Sequence, residues 1–180
     1  HHIVQPLSVR ERIIRANGDA GTHVIWTSPS GGVGNVVATM DEWLENIAAD
    51  NTDRSAREKA LDAKPADAVD RCFDGAGNVI AEEPASFDSG VCGSTYPSFS
   101  LPRMQAGGPL ANDVLKCQLK PVDFSEYPEM TEDERNRMLA AFPDGVCDYT
   151  KPGVEQFVED GGHTGKILLT MKGLLGEMEQ

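Results

Sequence analysis

Apolar residues recur along the first fifty positions at two different periods, and each change of period marks an element. Val9, Ile13 and Ala16 fall on one face of a helix, with Ser8 and Glu11 in the S-x-x-E arrangement of a capping box at its start and Gly18 as its stop. His23 to Thr27, reading HVIWT, is a short apolar strand. Ser28-Pro29-Ser30-Gly31-Gly32 continues neither element, and from Val36 the apolar positions Val36, Met40, Leu44 and Ile47 form the stripe of an amphipathic helix. A lone strand between two helices cannot satisfy its backbone or bury both faces, so it must join a sheet whose other strands lie elsewhere. Its edge and the stripes of the flanking helices are therefore expected to be only partly covered within this chain.

After Ala49 the elements become short and are broken by Pro and Gly. Ser55 and Glu58 form a second capping box before a helix ended by Lys64-Pro65, and Pro65 is placed to open a short helix through Cys72. Phe73 to Ile80, reading FDGAGNVI, predicts a tight turn or small hairpin; the D-x-[DN]-x-[DN]-G series of a calcium loop is absent. Ala81 to Gly108 is a long irregular stretch that needs a tie, and Cys92 is the obvious one. Pro109 to Leu119 reads as a helix ended by Lys120-Pro121. A third capping box, Thr131 with Glu134, starts a helix that runs to Phe142 and stops at Pro143. Asp144 to Cys147 is a turn, and for Glu155 to Gln180, with its one apolar run from Ile167 to Leu169, strand and helix both remain open.

Sixteen Lys plus Arg against 29 Asp plus Glu give a net charge of −13, which repels nucleic acid and anionic membrane surfaces. No apolar run reaches the roughly 18 residues of a transmembrane span. The cysteines stand at 72, 92, 117 and 147 with no C-x-x-C pair, which disfavours zinc and favours two disulfides, and with them a secreted or periplasmic location. Of the three pairings, Cys72–Cys92 and Cys117–Cys147 each close a separate local unit, worth about 3 to 4 kcal/mol apiece, against the alternative of four reduced thiols. Gly31-Gly32-Val33-Gly34 lies between a strand and a helix, but the third glycine of G-x-G-x-x-G is replaced by Val37, so a flexible connection is the better reading than a nucleotide site. His23 reads as structural, with no carboxylate or nucleophile near it in sequence, and His163 as solvated. Trp26 and Trp43 are placed as core residues. No cofactor or metal is implied, and G-x-S-x-G, the nucleophile elbow of a serine hydrolase, occurs nowhere in the 180 residues.

Several separated blocks resemble one family. They are Val9-Arg10-Glu11-Arg12 with Ala16-Asn17-Gly18, the strand His23 to Thr27, Met40-Asp41-Glu42-Trp43-Leu44, and Lys64 to Cys72, reading KPADAVDRC. Gly107 to Pro121, reading GGPLANDVLKCQLKP, and Phe142 to Tyr149, reading FPDGVCDY, continue the likeness, which covers about positions 1 to 153. The family is domain of unknown function 6351, large secreted bacterial proteins similar to tannase and feruloyl esterase. The resemblance implies an α/β-hydrolase, with a triad in the chain order Ser, acid, His. It implies that residues 1–50 are the last helix–strand–helix unit of the hydrolase sheet, that 51–153 are a disulfide-stapled, loop-rich extension, and that 154–180 are a tail outside the likeness. The loop after the strand, where such a hydrolase usually holds its His, has none, so the candidate catalytic residues are His1 and its neighbour His2.

The expected fold class is thus an α/β fragment, mainly helical with few short strands. The expected function is the C-terminal part of a secreted esterase-type serine hydrolase acting on a small-molecule ester. Such a piece is inactive by itself, and its partner is the upstream part of the same polypeptide. The competing expectation is a non-catalytic, disulfide-stabilised binding or structural module.

Overall fold

The first helix, α1 (Val4–Asn17), begins a turn earlier than the capping pattern implies. Pro6 does not prevent this, because a residue in the first turn has no intrahelical N–H bond to lose. Ser8 is consequently not a cap: it lies inside the helix, 1% exposed, beside the buried Val4 and Leu7. The helix stops as expected at Gly18, in the left-handed conformation with φ 82°, whose N–H bonds the Ile14 carbonyl. This is a computed structural model, and it describes residues 3–29 and 35–156.

The chain forms two compact units that divide between Phe99 and Ser100, whereas the sequence suggested a division at residue 50. In the first unit, α1 is followed by β1 (Trp26–Thr27), α2 (Val36–Ala49), α3 (Ala56–Asp62), β2 (Arg71–Phe73), β3 (Val79–Glu82) and α4 (Gly90–Thr95). The strand expected over 23–27 is therefore regular only at its last two residues. It lies at the edge of a three-stranded sheet, order β1-β2-β3, parallel to β2 and with Trp26 opposite Arg71. The helix expected from Pro65 to Cys72 does not form, because Arg71 and Cys72 are drawn into this ladder and the Arg71 N–H bonds the Ile25 carbonyl at 3.2 Å. The expected hairpin is present: β2 runs antiparallel to β3, the Asp74 carboxylate accepts from the Ala76 and Asn78 N–H groups, and Gly77 takes φ 86°.

Helix α2 starts at Val36 as its periodicity requires, but the side it buries is Thr39 and Trp43. Trp43 is 3% exposed, donates its indole N–H to the Ala60 carbonyl at 2.7 Å and lies under the Lys64 ammonium, so the largest side chain decides which way the helix faces. Val36 and Leu44 of the expected stripe stay 41% and 44% exposed. Trp26, the other expected core tryptophan, is half-buried under the Arg71 guanidinium and edge-on to Phe73. Ser55 and Glu58 make the reciprocal capping box at the start of α3. Cys72, fully buried, is bonded to Cys92, which pins α4 to the sheet.

The second unit contains α5 (Pro102–Gln105), β4 (Val114–Lys116), β5 (Leu119–Lys120), a 3-10 turn (Phe124–Glu126), α6 (Glu132–Ala141), β6 (Val146–Cys147) and β7 (Glu155–Gln156). The helix expected over Pro109–Leu119 is replaced by strands. Gly107 and Asn112 have positive φ, which reverses the chain, and β4 pairs with β7 while β5 pairs with β6, both antiparallel. Cys117 and Cys147 are joined, the pairing expected from loop closure. Thr131 and Glu134 form their capping box. Yet α6 buries no residue, and of the unit's described residues only Ala111, Asp113 and Asp148 are buried. Residues 167–169 lie outside the described residues. The described chain is thus a mixed helix and strand fold with three small sheets and two disulfides, less helical than its sequence pattern predicts. Among the described residues no helix is long and apolar enough to cross a membrane.

Candidate functional site

Asp70 is the residue on which the first unit converges. It immediately precedes β2, and the parallel register of β1 with β2 brings it beside Ile25, whose N–H it accepts at 2.8 Å. The Ala85 N–H, just beyond β3, bonds the other carboxylate oxygen at 2.8 Å. Arg10 reaches in from α1 and grips both oxygens in a fork, one arm at 2.8 Å and the other closer, with the two side chains 14% and 11% exposed. One carboxylate therefore ties α1, the entry to β1, the entry to β2 and the exit from β3. Burial by itself would raise the Asp70 pKa; the bonds from Arg10, Ala85 and Ile25, with the Arg10 charge, outweigh it and hold the group below the usual carboxylate range.

The same guanidinium also holds His23. Arg10 Nη2 donates to the His23 carbonyl at 2.9 Å and Nε to the ring Nδ1 at 3.3 Å. A nitrogen that accepts cannot carry the proton, so the imidazole is neutral with its hydrogen on Nε2. Burial is the main reason its pKa is pushed down to about 4, with Arg10 and Lys64 adding repulsion and Asp70 opposing. The unfolded chain binds a proton here below about pH 6.5 and the folded chain does not until about pH 4, so stability falls as pH drops through that window. The loss is at most about 3 kcal/mol. Denaturant unfolding between pH 7 and 4 should show the slope for the native protein, and His23→Gln should flatten it.

A family model, tannase-like family of unknown function (DUF6351), matches residues 1–158. The chain belongs to that family. No curated protein and no solved structure matches it.

In this member of the tannase-like family, Arg10 and Lys64 to Arg71 of the cluster lie inside two of the blocks that carry the likeness. A cleft of about 490 Å³ opens over the cluster, with Lys64, Glu82 and Glu83 around it and Ala20, Val69 and Pro84 as apolar wall. The Lys64 ammonium donates to the Gly21 carbonyl at 2.9 Å. Glu82 is paired with Arg71 at 3.0 Å, and Glu83 accepts the Cys92 N–H at the start of α4 at 2.7 Å. Of the residues singled out from sequence, His1, His2, His163 and the Gly31–Gly34 loop lie outside the described residues. The four cysteines are all in disulfides. His23 is indeed structural, but the reason given for it fails: Asp70, 47 positions away, lies close enough to raise its pKa. Sequence reasoning missed the Arg10–His23–Asp70 cluster because its members meet only through the β1–β2 pairing. The one available signal was an Asp directly before a strand. Asp70 is fully spent on its four donors, and the ring nitrogen that would face a triad carboxylate faces a guanidinium instead, so the cluster positions backbone and does not act as a base. Among the described residues no His, Cys, Asp and Glu group is arranged to hold a metal.

Proposed function

We propose that the chain serves a secreted or periplasmic esterase-type serine hydrolase as its C-terminal part. In this reading the nucleophile and the acid come from preceding sequence of the same polypeptide, and the chain is inactive by itself. The observation that carries this is the tannase-like match over residues 1–158. The helix–strand–helix order α1-β1-α2 with a parallel β1–β2 pair supports it, since parallel strands with helical connections are the repeating unit of an α/β-hydrolase sheet, and β1 lies at an edge. The two disulfides fit an oxidising compartment. His1, with His2 beside it in sequence, is the general base, and a small-molecule ester is the substrate. A second reading, a non-catalytic disulfide-stabilised module, is favoured by one observation: the polar cluster of the first unit is spent on tying elements together.

Hydrolysis of aryl acetates and of aromatic acid methyl esters by this chain and by the full-length polypeptide separates the two. The hydrolase reading predicts no turnover by the chain, turnover by the full polypeptide, and a fall in kcat of roughly 10⁴-fold for His1→Ala. An inert full polypeptide, or full activity in both His1→Ala and His2→Ala, favours the module.

A further inference from the structure

The charges around the cleft over the Asp70 cluster do not cancel. Arg10 is neutralised by Asp70, Glu82 by Arg71, and Glu83 is held by the Cys92 N–H at the start of α4. Lys64 is left as a cation whose hydrogen bond goes to a carbonyl, Gly21 O, and whose other contact is the Trp43 ring. His23 adds a second donor: with Nδ1 accepting from Arg10, its Nε2–H has no partner among the described residues. We infer that this cleft is a binding site for a small monocarboxylate with an apolar body, the carboxylate meeting Lys64 and the His23 Nε2–H and the body resting on Ala20, Val69 and Pro84. The inference stands apart from the hydrolase reading.

Size, charge and donor type agree on that class. About 490 Å³ lies within the range of sites for small molecules. One unbalanced cation matches one negative charge, whereas a phosphate dianion would add a second charge near Glu82 and Glu83. The Arg10 fork, the natural partner of phosphate, is already occupied by Asp70. Burial and neighbouring cations disfavour the charged forms of both His23 and Lys64, and a bound carboxylate would relieve both.

Nuclear magnetic resonance on the full 180-residue chain tests this by titration with benzoate, benzamide and inorganic phosphate. Benzoate should bind with a Kd of about 1 mM, perturb the His23 ring, and raise its protonation midpoint by about one pH unit at saturation. Benzamide and phosphate should each bind at least about tenfold more weakly, and Lys64→Gln, which keeps a donor for Gly21 but removes the charge, should weaken benzoate by a similar factor. Benzamide binding as well as benzoate, an unmoved His23 midpoint in the native chain, or undiminished benzoate binding by folded Lys64→Gln would each overturn the assignment. If Lys64→Gln does not fold, the first two readouts decide.

Discussion

Asp70→Ala should cost the first unit about 3 to 5 kcal/mol, among the largest effects of any single side chain in it. The substitution removes a carboxylate that accepts four hydrogen bonds, leaving the Ile25 and Ala85 N–H groups without an acceptor and the Arg10 guanidinium buried without its counter-ion. For a unit of this size that corresponds to a fall in Tm of at least about 12 °C. Arg10→Met should be comparably damaging, since it strands the carboxylate instead. The double replacement Arg10→Met with Asp70→Leu should be less harmful than the sum of the singles, because it removes both charges together. Thermal and denaturant unfolding of the four proteins checks this. A loss below about 1 kcal/mol for Asp70→Ala would mean that the sheet holds α1 without the clamp.

Replacing Cys117 and Cys147 by Ser should unfold the second unit while the first remains folded. The bond closes a loop with a sequence separation of 30, worth about 3.5 kcal/mol in the chain-entropy model. Little else can take over. The described part of this unit buries one apolar residue, Ala111, and two aspartates, and its longest helix, α6, buries none. An apolar core that small cannot offset the cost of ordering the chain, which is why small units depend on staples. The Cys72–Cys92 bond has a similar entropic worth, about 3 kcal/mol for a separation of 20, but a different setting. It adjoins a core with Ile25, Trp43, Ala60 and Phe73, and α4 is also held by Glu83 and by the Tyr96 hydroxyl on the Phe73 carbonyl. Hydrogen exchange read by mass spectrometry should show peptides beyond Ser100 losing protection in the Cys117→Ser/Cys147→Ser protein, while those of α1 to β3 keep theirs. Retained protection beyond Ser100 would contradict this account of the second unit.

What the sequence disclosed of this fold is mostly what short-range chemistry decides. The capping boxes at Ser55 and Thr131 are local, each a hydroxyl and a carboxylate three residues apart, and both form. The same spacing at Ser8 does not, because Val4 and Leu7 extend the apolar face upstream and packing outweighs a cap worth about 1 kcal/mol. Loop closure identified the cysteine pairs, since bonding near neighbours needs no knowledge of topology. Strand pairing was the blind spot. Residues 109–119 carry apolar spacing compatible with a helix, yet partners at Val146–Cys147 and Glu155–Gln156 recruit them as strands. Likewise Arg10 and Asp70, sixty positions apart, meet only because β2 aligns beside β1.

The central claim is that Arg10 joins His23 and Asp70 into one cluster, and the ¹⁵N resonances of the His23 ring test it most directly. The account predicts a neutral imidazole with the proton on Nε2 and an accepting Nδ1, persisting from pH 8 down to about pH 4. A midpoint near the ordinary 6.5, or a proton on Nδ1 at neutral pH, would show that Arg10 does not hold His23 and that the cluster is not built as described.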